Sequence, residues 1–259
     1  DYYAIYQKDV ERLIPLEYDA NSVMSGQTSS WSIFLKENDT KFPLANRLFK
    51  VPSLRQRYLA HFRTMFNIAM DSSYFTNTIN QIYSQIDSLV QTDPIKLMSY
   101  SAFQNEKNTL LNWMKNRRTF ILNNAEFKQI GNTISEVQLV TNGIADAKPD
   151  ENQPTTVRSR IEGGAGVKTA YLYYSSGFDG YFNKTFMFDD GQHDDVAAGD
   201  GIYAASVPGF PSGAFVRYYI ESVSANAAGT SRFMPEGAEH DVFIYQVNVQ
   251  SSQNHEIAI

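Results

Sequence analysis

The 259-residue sequence predicts an α+β chain in which a short β-hairpin and a helical bundle precede an antiparallel β-sandwich. Apolar residues recur at helical spacing from Pro43 to Asn124, and from Gly131 onward the period changes to that of strands, with turn residues every ~8 to 12 positions. The charge balance changes at the same place. Residues 1–130 carry 15 Lys+Arg against 12 Asp+Glu, and residues 131–259 carry 7 against 16. Such a step marks a domain boundary. The expected organisation is 1–130, 131–250 and a tail at 251–259.

The opening DYYAIYQKDVERLIPLEYDAN reads as a hairpin. Tyr2, Ala4 and Tyr6 alternate with Tyr3 and Ile5, a polar Lys8-Asp9 turn follows, and Leu13-Ile14-Pro15-Leu16 resumes the apolar run. Asp19 then falls at a strand end with Asn21 two residues on. Two readings stand: a pair of oxygen donors for Mg²⁺, which takes few protein ligands, or a turn Asp with Asn. The polar stretch Ser22–Lys41, with a lone Trp31, is either a lid or recognition loop or a connector.

Leu48, Val51, Leu54, Tyr58, Phe62, Met65, Phe66 and Ala69 form one helical stripe, with Pro52 in the first turn or ending a shorter helix. Asp71 or Ser72 caps a second helix carrying Phe75, Ile79, Ile82, Ile86 and Leu89. Asp93-Pro94 reads as a cap with proline at the first helical position, and Ser101 with Gln104 as a capping box for a helix carrying Phe103, Leu110, Leu111, Met114 and Ile121. These helices are expected to pack on the hairpin. Arg47, Arg55, Arg57, Arg117 and Arg118 suit phosphate chemically, but helical arginines more commonly pair with carboxylates or lie along apolar flanks. His61 reads as a half-buried polar residue.

In the second half, Val216, Tyr218 and Ile220 alternate with Arg217, Tyr219 and Glu221; Ala170, Leu172 and Tyr174 form a neighbouring row, and Phe243, Tyr245, Val247 and Val249 close the sheet. Gly163–Gly166 precedes a strand and reads as a hairpin turn, not a phosphate cradle. Asp189, Asp190, Asp194, Asp195 and Asp200 crowd one glycine-rich loop. Calcium would suit those hard oxygens, although the spacing is not that of an EF-hand; a turn whose aspartates cap their own backbone is the other reading. His193 reads as a surface residue.

Composition excludes several classes. With no cysteine there is no disulfide frame, zinc knuckle or thiol nucleophile. The acidic half argues against nucleic acid, and no apolar run approaches the ~18 residues of a spanning helix. No signal peptide is recognisable.

The order YYAIY, turn, LIPLEYDAN, then LANRLFKVPSLRQRYLAHFRTMF, then DP, then LLNWMKNRRTFILNN resembles the C-terminal lobe of spore coat protein H (CotH) kinase-like proteins. The resemblance implies that Asp19 and Asn21 match a metal-binding W-D-x-D or W-D-x-N motif, with Tyr18 in place of the Trp, holding Mg²⁺ against ATP. It also implies a protein phosphoacceptor and a secreted or cell-surface bacterial setting. The nucleotide-binding lobe and catalytic base lie upstream in that family, so this fragment alone is expected to be inactive. DDGQHDDVAAGDGIY, VRYYIES and PEGAEHDVFIYQV resemble immunoglobulin-like or fibronectin-type-III-like modules of bacterial surface proteins. The competing expectation is a non-catalytic module that binds a glycan or a surface protein, with Tyr173 or Tyr181 stacking on sugar.

Overall fold

A computed structural model describes residues 3–8, 12–16 and 23–249. The chain divides into two compact units, with the change at Gln129–Ile130. The order is α+β: hairpin and helices first, antiparallel sheets after.

In the first unit, β1 (Tyr3–Gln7) pairs antiparallel with β2 (Arg12–Leu16), Ile5 opposite Ile14. A 3₁₀ turn at Gly26–Ser30 leads to α1 (Pro43–Leu48), α2 (Pro52–Ala69), α3 (Ser72–Thr92) and α4 (Tyr100–Leu122). Both readings of Pro52 hold together: it is the first residue of α2, and a shorter helix ends just before it.

Two expected helix starts move. Asp93 ends α3 instead of opening a helix; its Oδ1 accepts from the Ile95 amide at 2.8 Å, and the Asx turn so formed carries the chain away from helical geometry. The cap of α4 is Ser99, whose hydroxyl accepts from Ala102 N at 3.1 Å; Ser101 lies inside the helix, and Gln104 donates to Asp87 on α3. Asp71 does cap α3, accepting from Tyr74 N at 2.8 Å.

The buried face of α2 is rotated from the expected stripe. Leu59, Ala60 and Phe66 are buried, while Leu48, Val51, Leu54 and Met65 stay exposed. The core gathers Leu59, Phe66 and Ile121 with Ile33, Phe34 and Phe127, so segments flanking the helices supply half of it. The helices therefore bury apolar surface against these segments, and Ile5, Leu13, Ile14 and Leu16 of the hairpin remain exposed instead of being covered by the bundle. On α3, Tyr83 stacks on Phe103 of α4 at 4.6 Å.

The second unit holds two antiparallel sheets. One runs β4 (Ile144–Ala145), β3 (Thr133–Thr141), β5 (Thr155–Glu162), β8 (Ile202–Val207). The other runs β10 (Ser231–Met234), β9 (Phe215–Ser224), β6 (Val167–Ser176), β7 (Asn183–Met187), with β11 (Phe243–Gln246) also pairing β9. Strand β9 is long enough for β10 and β11 to share it in tandem, β11 along 215–218 and β10 along 220–223. The core between the sheets includes Val157, Ile161, Leu172, Val207, Val216, Tyr218, Ile220 and Val247. Each such burial contributes about 1.5–3 kcal/mol for the larger aliphatic chains.

Simple alternation fails on β9. Arg217, Tyr219 and Glu221 are buried as well as their core-facing neighbours: Phe182 packs edge-on against Tyr219 at 4.9 Å and lies under the Arg217 guanidinium at 4.8 Å, and Glu221 accepts from the Tyr173 and Ser231 hydroxyls. Gly163–Gly166 makes the β5–β6 turn, closed by Gly166 N to Gly163 O at 2.9 Å with Gly166 at φ +78°.

Candidate functional site

Asp19 and Asn21, the candidate Mg²⁺ ligands, lie outside the described residues. The arginines that suit phosphate can be placed. Arg55 Nε and Nη2 donate to the two carboxylate oxygens of Glu126 at 2.8 and 2.7 Å, and Nη1 donates to Glu37 at 2.6 Å. Hydrogen bonding to Glu126 raises its pKa further despite the opposing effect of burial. Its guanidinium also lies 3.4 Å from the centre of the Phe34 ring. All of its hydrogen-bonding edges are thus committed within the fold. Arg63 donates to the carbonyls of Glu126 and Phe127 at 2.8 and 3.0 Å, and Arg118 to the carbonyl of Met70 at the end of α2. Arg47 is exposed and Arg57 is engaged elsewhere.

The segment after Ser22 is neither a loose connector nor detached from the helices. Ile33 and Phe34 are in the core, Trp113 Nε1 donates to Thr28 Oγ1 at 2.9 Å, and Tyr58 OH donates to Ile33 O at 2.6 Å.

The acidic loop follows Phe188, which bridges Ala204 across from β7 to β8. Asp189 Oδ1 accepts from Gly199 N at 2.7 Å and Asp200 N at 3.2 Å, and Oδ2 from Gly201 N at 3.1 Å. Asp190 accepts from Gln192 N at 2.9 Å and meets His193 Nδ1 at 2.9 Å; the His193 contact lowers its carboxyl pKa. Asp195 is fully buried and accepts from Gly191 N at 2.7 Å. Burial pushes its carboxyl up, but donation from Gly191 and other loop amides outweighs this and holds it below the usual value. Asp194 accepts from Thr156 Oγ1 at 3.0 Å, and Asp200 from Ile202 N at 2.8 Å.

The five aspartates thus point largely at amides and a hydroxyl. Among the described residues no group of three or more His, Asp or Glu is arranged to hold a metal ion. Local sequence is the reason: Gly191, Gly199 and Gly201 take positive φ, which turns successive N–H groups toward the carboxylates. His193, half exposed, stacks on Phe188 at 4.3 Å.

Of the two tyrosines expected at the surface, only Tyr181 is exposed. Tyr173 is buried: it stacks face to face on Tyr219 at 4.5 Å and donates to Glu221 Oε2 at 2.7 Å, while Ser231 donates to Oε1 at 3.1 Å. The reason is its register opposite Tyr219, which brings the two rings together across β6 and β9. Sequence reasoning missed Trp113 and Phe186. The first is hidden in a polar helix; the second, next to Tyr171 at 5.0 Å, shows only through strand pairing.

Among the described residues no helix is long and apolar enough to cross a membrane. The family model described as CotH kinase protein matches residues 1–121, and that of the conditioned medium factor second Ig-like domain matches residues 128–232. No curated protein matches the chain. A solved structure titled "Crystal structure of Br derivative BhCBM56" is 12% identical, covering 46% of this chain and 99% of that one with a TM-score of 0.28. The chain thus joins a region matched by the CotH kinase family to a β-sandwich region matched by the model of an Ig-like domain.

Proposed function

We propose that the protein containing this sequence transfers the γ-phosphoryl group of ATP to a protein acceptor, and that Asp19 and Asn21 supply oxygen ligands to Mg²⁺. The observation that carries this reading is the CotH kinase match, which spans the hairpin and nearly all of the four helices. The donor chemistry fits: a carboxylate and an amide oxygen are the hard ligands Mg²⁺ takes, in the small number it needs alongside phosphate and water. When bound, the ion neutralises charge on the transferring phosphoryl group, and the protein's share is mostly positioning. In this reading the helices hold the hairpin-to-helix segment in place, with Arg55 locking α2 to the residues after α4. In this reading the protein acts outside the bacterial cytoplasm, secreted or at the cell surface.

The test is ATP-dependent autophosphorylation of the full-length protein with labelled γ-phosphate and Mg²⁺ or Mn²⁺, beside Asp19→Ala. Signal lost in the variant supports the proposal. Equal phosphorylation by both proteins removes Asp19 from the chemistry.

A second reading has its own observation. Phe178, Tyr181, Phe186 and Phe188 of the immunoglobulin-like domain are all exposed, and aromatic faces in water are apt for a glycan or a surface protein. Glycan-array binding that disappears in Phe186→Ala and Tyr181→Ala would favour it, whereas an empty array would remove glycan as the ligand.

A further inference from the structure

A cleft of ≈ 630 Å³ opens between the Val23–Leu35 segment and helices α2 and α4. It lies within the first unit and is used by neither reading above. Trp31, Ile33, Tyr58, Phe62, Trp113 and Arg117 are among its lining residues. Small-molecule sites span roughly 300–1,000 Å³ and have mainly apolar walls with a few placed polar groups, and this cleft has both properties.

The polar tips of its rings are already spent. Tyr58 OH and Trp113 Nε1 both donate to the loop, to Ile33 O and Thr28 Oγ1 at 2.6 and 2.9 Å. What these rings have left to present is apolar surface, and Trp31 adds more, being 50% exposed.

Arg117 is different. Its Nη1 donates to the carbonyls of Trp31 and Ser29, which pins the side chain to the rim. Nε and Nη2 make no hydrogen bond among the described residues, and no carboxylate there forms an ion pair with it. Burial lowers its pKa, as expected of a partly desolvated cation. The contrast with Arg55 in the same unit is direct, since there the Nε–Nη2 edge holds a carboxylate in two-pronged fashion.

We infer that this cleft binds a small organic carboxylate with an apolar body, the carboxylate meeting Arg117 and the body lying against Trp31, Tyr58, Phe62 and Trp113. The charge selects an anion, the guanidinium fork matches a planar carboxylate as Arg55 does with Glu126, and the ring surface selects an apolar remainder. The inference is independent of phosphoryl transfer.

The protein has two tryptophans and both line the cleft, so intrinsic fluorescence reports on this site. Octanoate, octan-1-ol and octylammonium, equal in chain length and different in head group, are titrated against the full chain. Octanoate should give a saturable change, with the alcohol and the ammonium ion binding about tenfold or more weakly, a difference of about 1.4 kcal/mol. Arg117→Met should bring octanoate to the level of the alcohol while leaving the far-ultraviolet dichroism unchanged. If that variant does not fold, the head-group series on the unaltered protein decides alone. The inference is overturned by no saturable response to octanoate, or by equal affinity for octanoate and octan-1-ol.

Discussion

Arg55 and Glu126, 71 positions apart, meet through two parallel N–H···O bonds of 2.8 and 2.7 Å, and the remaining Arg55 nitrogen reaches Glu37 at 2.6 Å. One guanidinium therefore ties the loop before α1, the first turn of α2 and the segment after α4. Because it is planar and lies over Phe34, it also extends the aromatic cluster of Phe34, Phe49 and Tyr58.

Arg55→Ala leaves two partly exposed carboxylates without their partner and should cost about 1–2 kcal/mol, between the values for surface and buried ion pairs. Arg55→Lys keeps the charge but loses the fork, and should lose roughly half as much. Urea unfolding followed by tryptophan fluorescence reads the first unit directly, since both tryptophans are there. An unchanged midpoint in Arg55→Ala would show that the network does not hold the unit together.

Tyr173→Phe removes a hydroxyl donor from buried Glu221 and leaves the stacking on Tyr219 intact. The expected loss is about 1–3 kcal/mol, the penalty for taking a hydrogen bond from a buried acceptor. Thermal unfolding of the variant measures it. A loss well under that range would mean that another group or water replaces the phenol.

Asp189→Ala removes the side-chain acceptor of three loop amides, at Gly199, Asp200 and Gly201, the first two of which keep a longer bond to a backbone carbonyl. The loop is partly open to water, so the cost should be about 2 kcal/mol. Because the carboxylates face amides, adding CaCl₂ or EDTA should leave the Tm of the unaltered protein where it was. A rise in Tm with CaCl₂ that Asp189→Ala or Asp195→Asn abolishes would identify calcium as a ligand of the loop.

Asp190 and Asp195 are both held below the ordinary carboxyl value of 3.8, Asp190 chiefly by His193 and Asp195 by loop amides that outweigh its burial. A depressed folded pKa means that the stabilisation is present above the unfolded value and is lost as pH falls through the folded one. The Tm should therefore hold steady above pH ~4 and fall below it, and Asp195→Asn should flatten the fall. Identical acid profiles for the two proteins would place the pH dependence elsewhere.

Much of the fold was legible along the chain. The change of period near residue 130 separated helices from strands because each element has to turn its apolar residues toward one side. Asp71 was readable as a cap because its side chain answers an amide three residues away. Ser101 and Asp93 misled for a related reason: several residues in a row can satisfy the same local rule, and which one does so depends on where the helix is held by its neighbours, as Gln104 is by Asp87. At the candidate sites, the aspartate-rich loop was visible as composition, but whether its oxygens would face an ion or amides was a matter of backbone path. Asp19 and Asn21 carry their expected role on the strength of resemblance alone.

Period, turn chemistry and charge determined the α+β order and the position of the break, since each depends on residues only a few positions apart. Tertiary structure decided the contacts that reach across the chain: Arg55 with Glu126, Tyr173 with Tyr219, both tryptophans on one cleft with Arg117. Such pairings depend on strand register and helix rotation, and turning either by one position exchanges buried for exposed faces. That is why Tyr173 proved buried where strand alternation placed it at the surface, and why Leu48 and Met65 proved exposed where helical spacing placed them inside.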